Sequence, residues 1–430
     1  MLLTDDQLSV ISTIKKGRNV MITGPGGTGK TTIIDHLRDV LMYIGVTAMT
    51  GAAAVLIGGT TLHSYLGIGL GKDSEDDLVN KIIGCENLMR KWCDTNILVV
   101  DEASMLPADL FDKLNRIAKR VRECGDPFGG MQLVFGGDFL QLPCIKGDFC
   151  FESTAWKDCK FEIFHLTTIM RQTNKQFQDC LNRARFGEMT DDDLEYITQS
   201  ILTKEAISAM EIKPTRILCA NVDVNEINKT KLMQLPADEI HIYKYKIEYN
   251  LDNYEPRSHT FMFKDITKLC NAQPKLSLSV GAQVMLLVNI DVKRGLVNGS
   301  RGVVTGFFPC NTAKGKTRLI PVVKFGNAEG TDMAIQRHGY EVKDGKYLIA
   351  TIFQVPLKLA YAITVHKSQG MTLDSAIINL RGVFEYGQAY VALSRVKDIN
   401  NLFLKNFTKT SFRAHPKALD FYRELNQLKI

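Results

Sequence analysis

No Cys-x-x-Cys pair and no histidine cluster occurs among the 430 residues, although ten cysteines are scattered between Cys85 and Cys310. That pattern argues against a zinc site and for reduced, mostly packed thiols, so a reducing compartment is expected: cytoplasm or nucleus, or the replication site of a virus. No apolar run approaches the roughly 18 residues of a membrane span, and the opening MLLTDDQLSV lacks the basic and apolar regions of a signal peptide. Neither secretion nor a membrane is expected. Repeats and low-complexity tracts are missing too, so the organisation must come from alternating strand and helix signals. A strong charge imbalance is also absent: the net charge is +6, with 23% charged and 45% hydrophobic residues. Such a chain builds two or three ordinary globular domains, with a mild leaning toward a polyanionic partner.

What is present begins with ITGPGGTGKTT, Ile22 to Thr32. Gly24, Gly26, Gly27 and Gly29 let the backbone wrap a phosphate with its N–H groups pointing inward, and Thr28 sits inside the same turn. Lys30 is placed to reach the β and γ phosphates and Thr31 to put its hydroxyl on a magnesium ion. Thr32 opens a helix whose positive N-terminus faces the anion. The context agrees, since NVMIT reads as a strand and TIIDHLRDVLMYIG carries apolar residues at helical spacing. This pattern predicts ATP and Mg2+ as cofactors.

Several short apolar runs end in polar turns: NVMITG, NILVVDEAS, MQLVFGGD, TRILCAN and YAITVHKSQG. Strands separated by helical patterns predict an α/β chain with doubly wound parallel sheets, whose ligands collect at the carboxyl ends of the strands. Two insertions interrupt the rhythm. The stretch LGIGLGKDSEDDLVNKIIGCENLMRKW reads as a small helical excursion, about 66–95. Residues 295–354, rich in glycine and β-branched side chains, read as short antiparallel strands in a small barrel. The flanking LSLSVGAQVMLLVN and VPLKLAYAITVH are expected to belong to the sheet that this segment interrupts.

In NILVVDEAS a strand delivers two adjacent carboxylates with different tasks. Asp101 is placed to hold the magnesium ion, and Glu102 to orient the attacking water and take its proton. An isolated acidic pair is as often a solvated strand end, but behind a complete phosphate loop it points to hydrolysis coupled to motion. VFGGDFLQLP supplies Asp138 and Gln141, a polar pair suited to sensing the γ phosphate, though an ordinary β-turn would read alike. Arg171 in TTIMRQ and Arg395 in YVALSRVKD stand far from the loop in sequence, as arginines that stabilise transferring phosphoryl groups commonly do.

Taken in order, the phosphate loop, VVDEAS, GGDFLQLP, MRQ, YAITVHKSQG and VALSR resemble the motifs of superfamily-one helicases of the RecD-like branch. DPFGGMQLVFGGDFLQLP, GAQVMLLVNIDVKRGLVNGSRGVV and TLHSYLGIG further resemble signature segments of the PIF family of DNA helicases, so that the likeness runs from Leu3 to about Asn406. The resemblance implies two RecA-like domains with ATP between them. The first is residues 1–165 with a helical wedge at about 66–95. The second is 166–294 and 355–430, interrupted by an SH3-like insertion at 295–354. Arg171 and Arg395 are then fingers from the second domain, and Gln7 matches a position that hydrogen-bonds adenine.

The resemblance also implies contacts to single-stranded DNA from Thr50 and His63 and from His366, Lys367 and Ser368, with Gln369 and Gly370 close to the nucleotide. A histidine taken alone is more often a packing residue. Contacts to phosphates rather than base edges imply sequence tolerance and steep salt dependence. The departures are small: GPGGTGK stands where alanine or serine is often found, and FGGDF has an extra glycine. The long terminal extensions of some members are missing, which suggests a minimal core of bacterial, phage, viral or lower-eukaryote kind.

The expected activity is therefore an ATP-dependent DNA helicase. It would move 5′ to 3′ on single strands and open tailed or forked duplexes in replication, repair or recombination, acting as a monomer. Three rivals stay open. A small-molecule kinase shares the loop but has no use for VHKSQG, and a purely regulatory DNA-binding module should have lost Lys30, Glu102 or Arg395. A translocase that moves without separating strands would share every motif.

Overall fold

Along the central strands of the N-terminal half, alternate residues are apolar and buried on opposite faces. Leu98 and Val100 enter one core and Val99 the other, as do Leu133 and Phe135 against Val134. This period of two, buried on both sides, is the mark of a parallel sheet covered by helices on each face.

The computed structural model describes residues 3–427, apart from 70, 145, 200–204, 206, 208–209, 211, 237–238, 251–272, 292–293, 295, 297, 312–316, 327–331 and 345–346. Parts of the segment 295–354 thus lie outside the described residues. The chain divides into two compact units: Met1–Tyr196 with Val383–Arg395 and Thr408–Ile430, and Ile197–Gly382 with Val396–Phe407.

The first unit contains strands β1 (Val20–Thr23), β2 (Ile44–Ala48), β3 (Thr60–Thr61), β4 (Ile97–Asp101), β5 (Gln132–Gly137) and β6 (Glu162–His165). They form one parallel sheet in the order β3-β2-β4-β5-β1-β6. The three strands that lead into the phosphate loop, the Asp101–Glu102 pair and the Asp138–Gln141 turn are therefore neighbours at its centre. Helices Asp5–Lys15 and Lys30–Val40 cover one face through Val10, Ile11, Ile14, Ile33, Ile34 and Leu37. Helix Ala108–Val121 covers the other through Leu110, Phe111, Leu114, Ile117, Ala118 and Val121, joined by Tyr422 and Leu425 of helix Pro416–Gln427.

The helical excursion forms as Glu75–Ile83 and Glu86–Asp94. Ser74 caps the first, and Leu78, Val79, Ile82, Leu88 and Trp92 carry both into the same core as Ala108–Val121. The DPFGG stretch has a structural task in this layer. Phe128 takes positive φ (52°), is buried against Phe111 and donates its N–H to Asn115 Oδ1 at 2.8 Å, while Arg122 Nε donates to the Gly129 carbonyl at 2.7 Å.

The second unit has strands β7 (Thr215–Leu218), β8 (His241–Lys244), β9 (Lys246–Tyr249), β10 (Lys275–Leu278), β11 (Gln283–Leu286), β12 (Arg301–Asn311), β13 (Thr317–Phe325), β14 (Asp332–Ala334), β15 (His338–Asp344), β16 (Tyr347–Gln354), β17 (Leu357–Leu359), β18 (Ala362–Thr364), β19 (Ala376–Asn379) and β20 (Leu402–Lys405). A second parallel sheet runs β18-β7-β19-β20. The mixed α/β architecture with two parallel sheets is the one that the strand and helix alternation predicts.

The antiparallel strands form a five-stranded sheet, β14-β13-β12-β11-β17, a three-stranded one, β15-β16-β9, and the pair β10-β8. Here one expectation is corrected. β11 and β17, from the stretches expected to join the interrupted parallel sheet, pair with each other and extend the antiparallel sheet instead. Their inward residues Val284, Leu286 and Leu357 share a core with Val304, Val323 and Phe325, and that common burial sets the pairing. Of VPLKLAYAITVH, only β18 lies in the parallel sheet.

Candidate active site

Gly24 to Gly29 form the turn between β1 and helix Lys30–Val40. Gly27 has φ 87°, and a Cβ there would lie 2.5 Å from Arg171 Cβ, so glycine is required both by the backbone and by the arginine against it. Thr28 is buried and its hydroxyl donates to the Pro25 carbonyl at 3.0 Å. Lys30 Nζ donates to the carbonyls of Gly24 and Pro25 at 2.8 and 2.9 Å. Burial pushes the lysine below its usual pKa, opposed by Asp138, Glu102 and Asp101. Thr31 is exposed at the start of the helix, and Thr32 half-buried.

Asp101 ends β4, is buried and accepts from the Glu102 N–H at 2.9 Å; burial raises its pKa. The extra glycine of FGGDF is explained here, since a Cβ on Gly136 would lie 2.8 Å from Asp101 Oδ1. Glu102 adopts left-handed backbone, φ 56° and ψ 42°. That conformation is costly for a residue with a Cβ and collects at functional sites.

Arg171 and Arg395 both reach the loop. A Cβ on Gly26 would meet Arg395 Nη2 at 3.2 Å and Arg171 Nη1 at 3.3 Å. Arg171 Nη1 donates to the Ser394 carbonyl at 3.0 Å, and Arg395 donates to Ser394 Oγ and the Val391 carbonyl at 2.7 and 2.8 Å. Burial, then the neighbouring Arg395, pulls Arg171 down to about 9; burial lowers Arg395 as well. Both arginines, assigned by resemblance to a second RecA-like domain, belong to the same compact unit as the loop. Three cations gathered at this turn suit a polyphosphate.

Gln7 is buried beside the same turn. Its side chain closes a capping box with Thr4, and its Nε2 donates to the Gly29 carbonyl at 3.5 Å. Asp138 and Gln141 are buried behind the loop, with Gln141 Nε2 donating to Asp138 Oδ2 at 3.3 Å. Although burial opposes its charge, Asp138 is held below the usual carboxylate range by the buried Arg185, whose Nε and Nη2 donate to it at 2.9 Å each.

Three residues in this assembly escaped the sequence reading: Arg185, Tyr422 and Tyr390, whose hydroxyl accepts from the Gly26 N–H at 3.0 Å. No local signal marks them, because arginine is exposed by default and the partners are 47 to 399 residues away.

Of the candidate DNA contacts, Thr50 is half-buried and caps the helix that follows it, its Oγ1 accepting from the Ala53 N–H at 3.2 Å. His63 is half-buried too, and burial lowers its pKa. In the second unit, Thr364 caps the short helix Val365–Ser368, which leaves Lys367 exposed and His366 half-buried. Ser368 and Gln369 are buried, with Ser368 Oγ donating to the Val365 carbonyl at 2.7 Å; Gly370 is half-buried with φ 75°. Lys358 on β17 was missed; burial, with the charge of Lys367, pushes it down to about 8.

Among the described residues, no group of three or more His, Cys, Asp or Glu side chains is arranged to hold a metal unaided. Thr31, exposed at the helix start, and Asp101, buried at the end of β4, carry a hydroxyl and a carboxylate, donor types that a magnesium ion accepts alongside phosphates and water. The nine described cysteines are free thiols, and no described helix is long and apolar enough to cross a membrane.

A phosphate loop, a strand-end acidic pair and arginines brought in from distant segments, all on a parallel sheet, define a nucleoside-triphosphate-binding protein of the P-loop class. The profile of the PIF1-like helicase family matches residues 2–193, and that of the 2B domain of DNA helicase Pif1 matches 265–307. The Pif1 helicase of Candida albicans, known from a crystal structure, is 34% identical with a TM-score of 0.79, covering 99% of this chain and 100% of that one. The Pif1 helicase of Bacteroides, solved with ADP-AlF3 and single-stranded DNA, is 31% identical with a TM-score of 0.70, covering 99% and 98%. The ATP-dependent DNA helicase PIF1 of Xenopus laevis is 39% identical over 432 residues, which are 99% of this chain and 65% of that protein's length. The chain belongs to the PIF1-like helicase family.

Proposed function

We propose that this protein is an ATP-dependent DNA helicase that translocates 5′ to 3′ on single-stranded DNA and unwinds tailed or forked duplexes. The observation that carries the reading is the convergence of Lys30, Arg171 and Arg395 on the phosphate loop, with Asp101 and Glu102 at the end of β4, two strands along the same sheet. Glu102 serves as the base that aligns and deprotonates the attacking water. The arginines neutralise charge that develops on the γ phosphate, and Lys30 leaves the Gly24 and Pro25 carbonyls for the β and γ phosphates. Gln7 hydrogen-bonds adenine in this reading, and Gln141 reports the γ phosphate. Thr31 and Asp101 would hold Mg2+, which supplies further neutralisation of the phosphate oxygens when bound.

The strand is gripped at Thr50 and His63 on the first unit and at His366 and Lys367 on the second, with Lys358 adding charge beside Lys367 and Ser368 shaping the turn from beneath. The segment 295–354, with the antiparallel strands β12 to β16, supplies the SH3-like insertion, and the helices Glu75–Ile83 and Glu86–Asp94 the wedge. Support for a DNA partner comes from the Bacteroides relative solved with single-stranded DNA. The test is ATP hydrolysis with and without single-stranded DNA. Stimulation that vanishes in Lys30→Ala is the expected result, and hydrolysis indifferent to DNA refutes the reading.

A further inference from the structure

Behind the phosphate loop lies a buried polar cluster that the chemistry above leaves without a task. Asp138 and Arg185 are paired at 0% and 1% exposure, and Tyr422 of helix Pro416–Gln427 joins them at 1%. The Tyr422 hydroxyl donates to Asp138 Oδ1 at 3.0 Å and is hydrogen-bonded to Thr23 Oγ1. Its ring lies 4.7 Å from the Arg185 guanidinium. Asp138 also accepts from the Leu140 N–H at 3.2 Å and from Gln141 Nε2.

An ion pair buried this deeply is a poor route to stability, since an apolar set of the same volume often does as well. It does fix geometry. Thr23 is the last residue of β1, directly before the loop, and is in register with Gly137 at the end of β5. One hydroxyl therefore bridges the ends of the two strands that carry the phosphate loop and the Asp138–Gln141 turn. Because Asp138 takes the amide nitrogen of Gln141, the end left to meet a ligand is the amide oxygen, an acceptor suited to a water molecule.

We infer that Tyr422 is a positioning residue, whose hydroxyl ties the phosphate loop to the Asp138–Gln141 turn and so keeps Gln141 aimed during ATP hydrolysis. The consequence for turnover rests on the motor reading, whereas the tie itself does not. Tyr422→Phe keeps the ring and its packing on Arg185 and removes only the hydroxyl. Two readouts test it: amide hydrogen exchange, and the kinetics of DNA-stimulated ATP hydrolysis.

The expected result is exchange at Leu140 and Gln141 faster by about tenfold, with Val99 and Val134 unchanged. kcat should fall roughly tenfold while KM for ATP stays within about twofold. Thr23→Val should loosen the amides of Gly24, Gly26 and Gly27 and spare Leu140. Unchanged exchange at 138–141 in Tyr422→Phe overturns the proposal, and so does altered exchange with a wild-type kcat. If the unmodified protein does not hydrolyse ATP, the motor reading fails, and the exchange result alone decides whether the tie exists.

Discussion

Glu102 holds a left-handed backbone at the end of a buried strand, beside cations that would otherwise face one another. Glu102→Gln keeps shape and removes the carboxylate proposed as the base. It should lower ATP hydrolysis by at least about a hundredfold while leaving nucleotide binding measurable by fluorescence titration. Turnover near wild type would remove Glu102 from the role. Arg171→Ala and Arg395→Ala should each cost roughly a thousandfold in kcat, the scale of an arginine that stabilises phosphoryl transfer. Since the two guanidiniums repel, either variant alone should not weaken folding, and thermal denaturation without nucleotide checks this. At this scale the sequence points to candidates where they sit in a contiguous motif, as at Lys30, Asp101 and Glu102, which the fold gathers on one sheet. It is silent on Arg185, Tyr390 and Tyr422, whose meaning depends on partners the fold brings from far along the chain.

Among the elements, the phosphate turn and the turn of the second unit proposed to grip DNA make separate predictions. Gly27→Ala combines an unfavourable φ with a Cβ 2.5 Å from Arg171. It should displace the arginine and weaken ATP binding at least about tenfold, read by titration with a fluorescent nucleotide. Lys358 is pushed down to about 8, so it is charged below that pH and neutral above it. Affinity for single-stranded DNA should therefore fall as pH rises from about 7 to 9, and Lys358→Met should flatten that fall.

Elements were the most legible level, because alternation in NILVVDEAS and MQLVFGGD and the helical period after Lys30 dictate strands and a helix by burial alone. The stretches around β11 and β17 were assigned to the wrong sheet for a physical reason. A short apolar strand carries no mark of which partner it will pair with, and the choice was made by a core shared with β12 and β13.

For the whole molecule, the net charge of +6 is modest, so in the proposed reading DNA is held by local cations rather than a general field. Affinity should fall with salt, and Lys367→Ala should reduce the slope of log K against log salt by about 0.7, the share of one phosphate on a single strand. The central claim is a motor with a direction. The most direct test is ATP-driven strand separation on two duplexes that differ only in carrying a 5′ or a 3′ single-stranded tail, with ATP hydrolysis followed in parallel. The account predicts DNA-stimulated hydrolysis with unwinding of the 5′-tailed duplex and not of the 3′-tailed one; unwinding only from the 3′ tail, or hydrolysis that opens neither duplex, would contradict it.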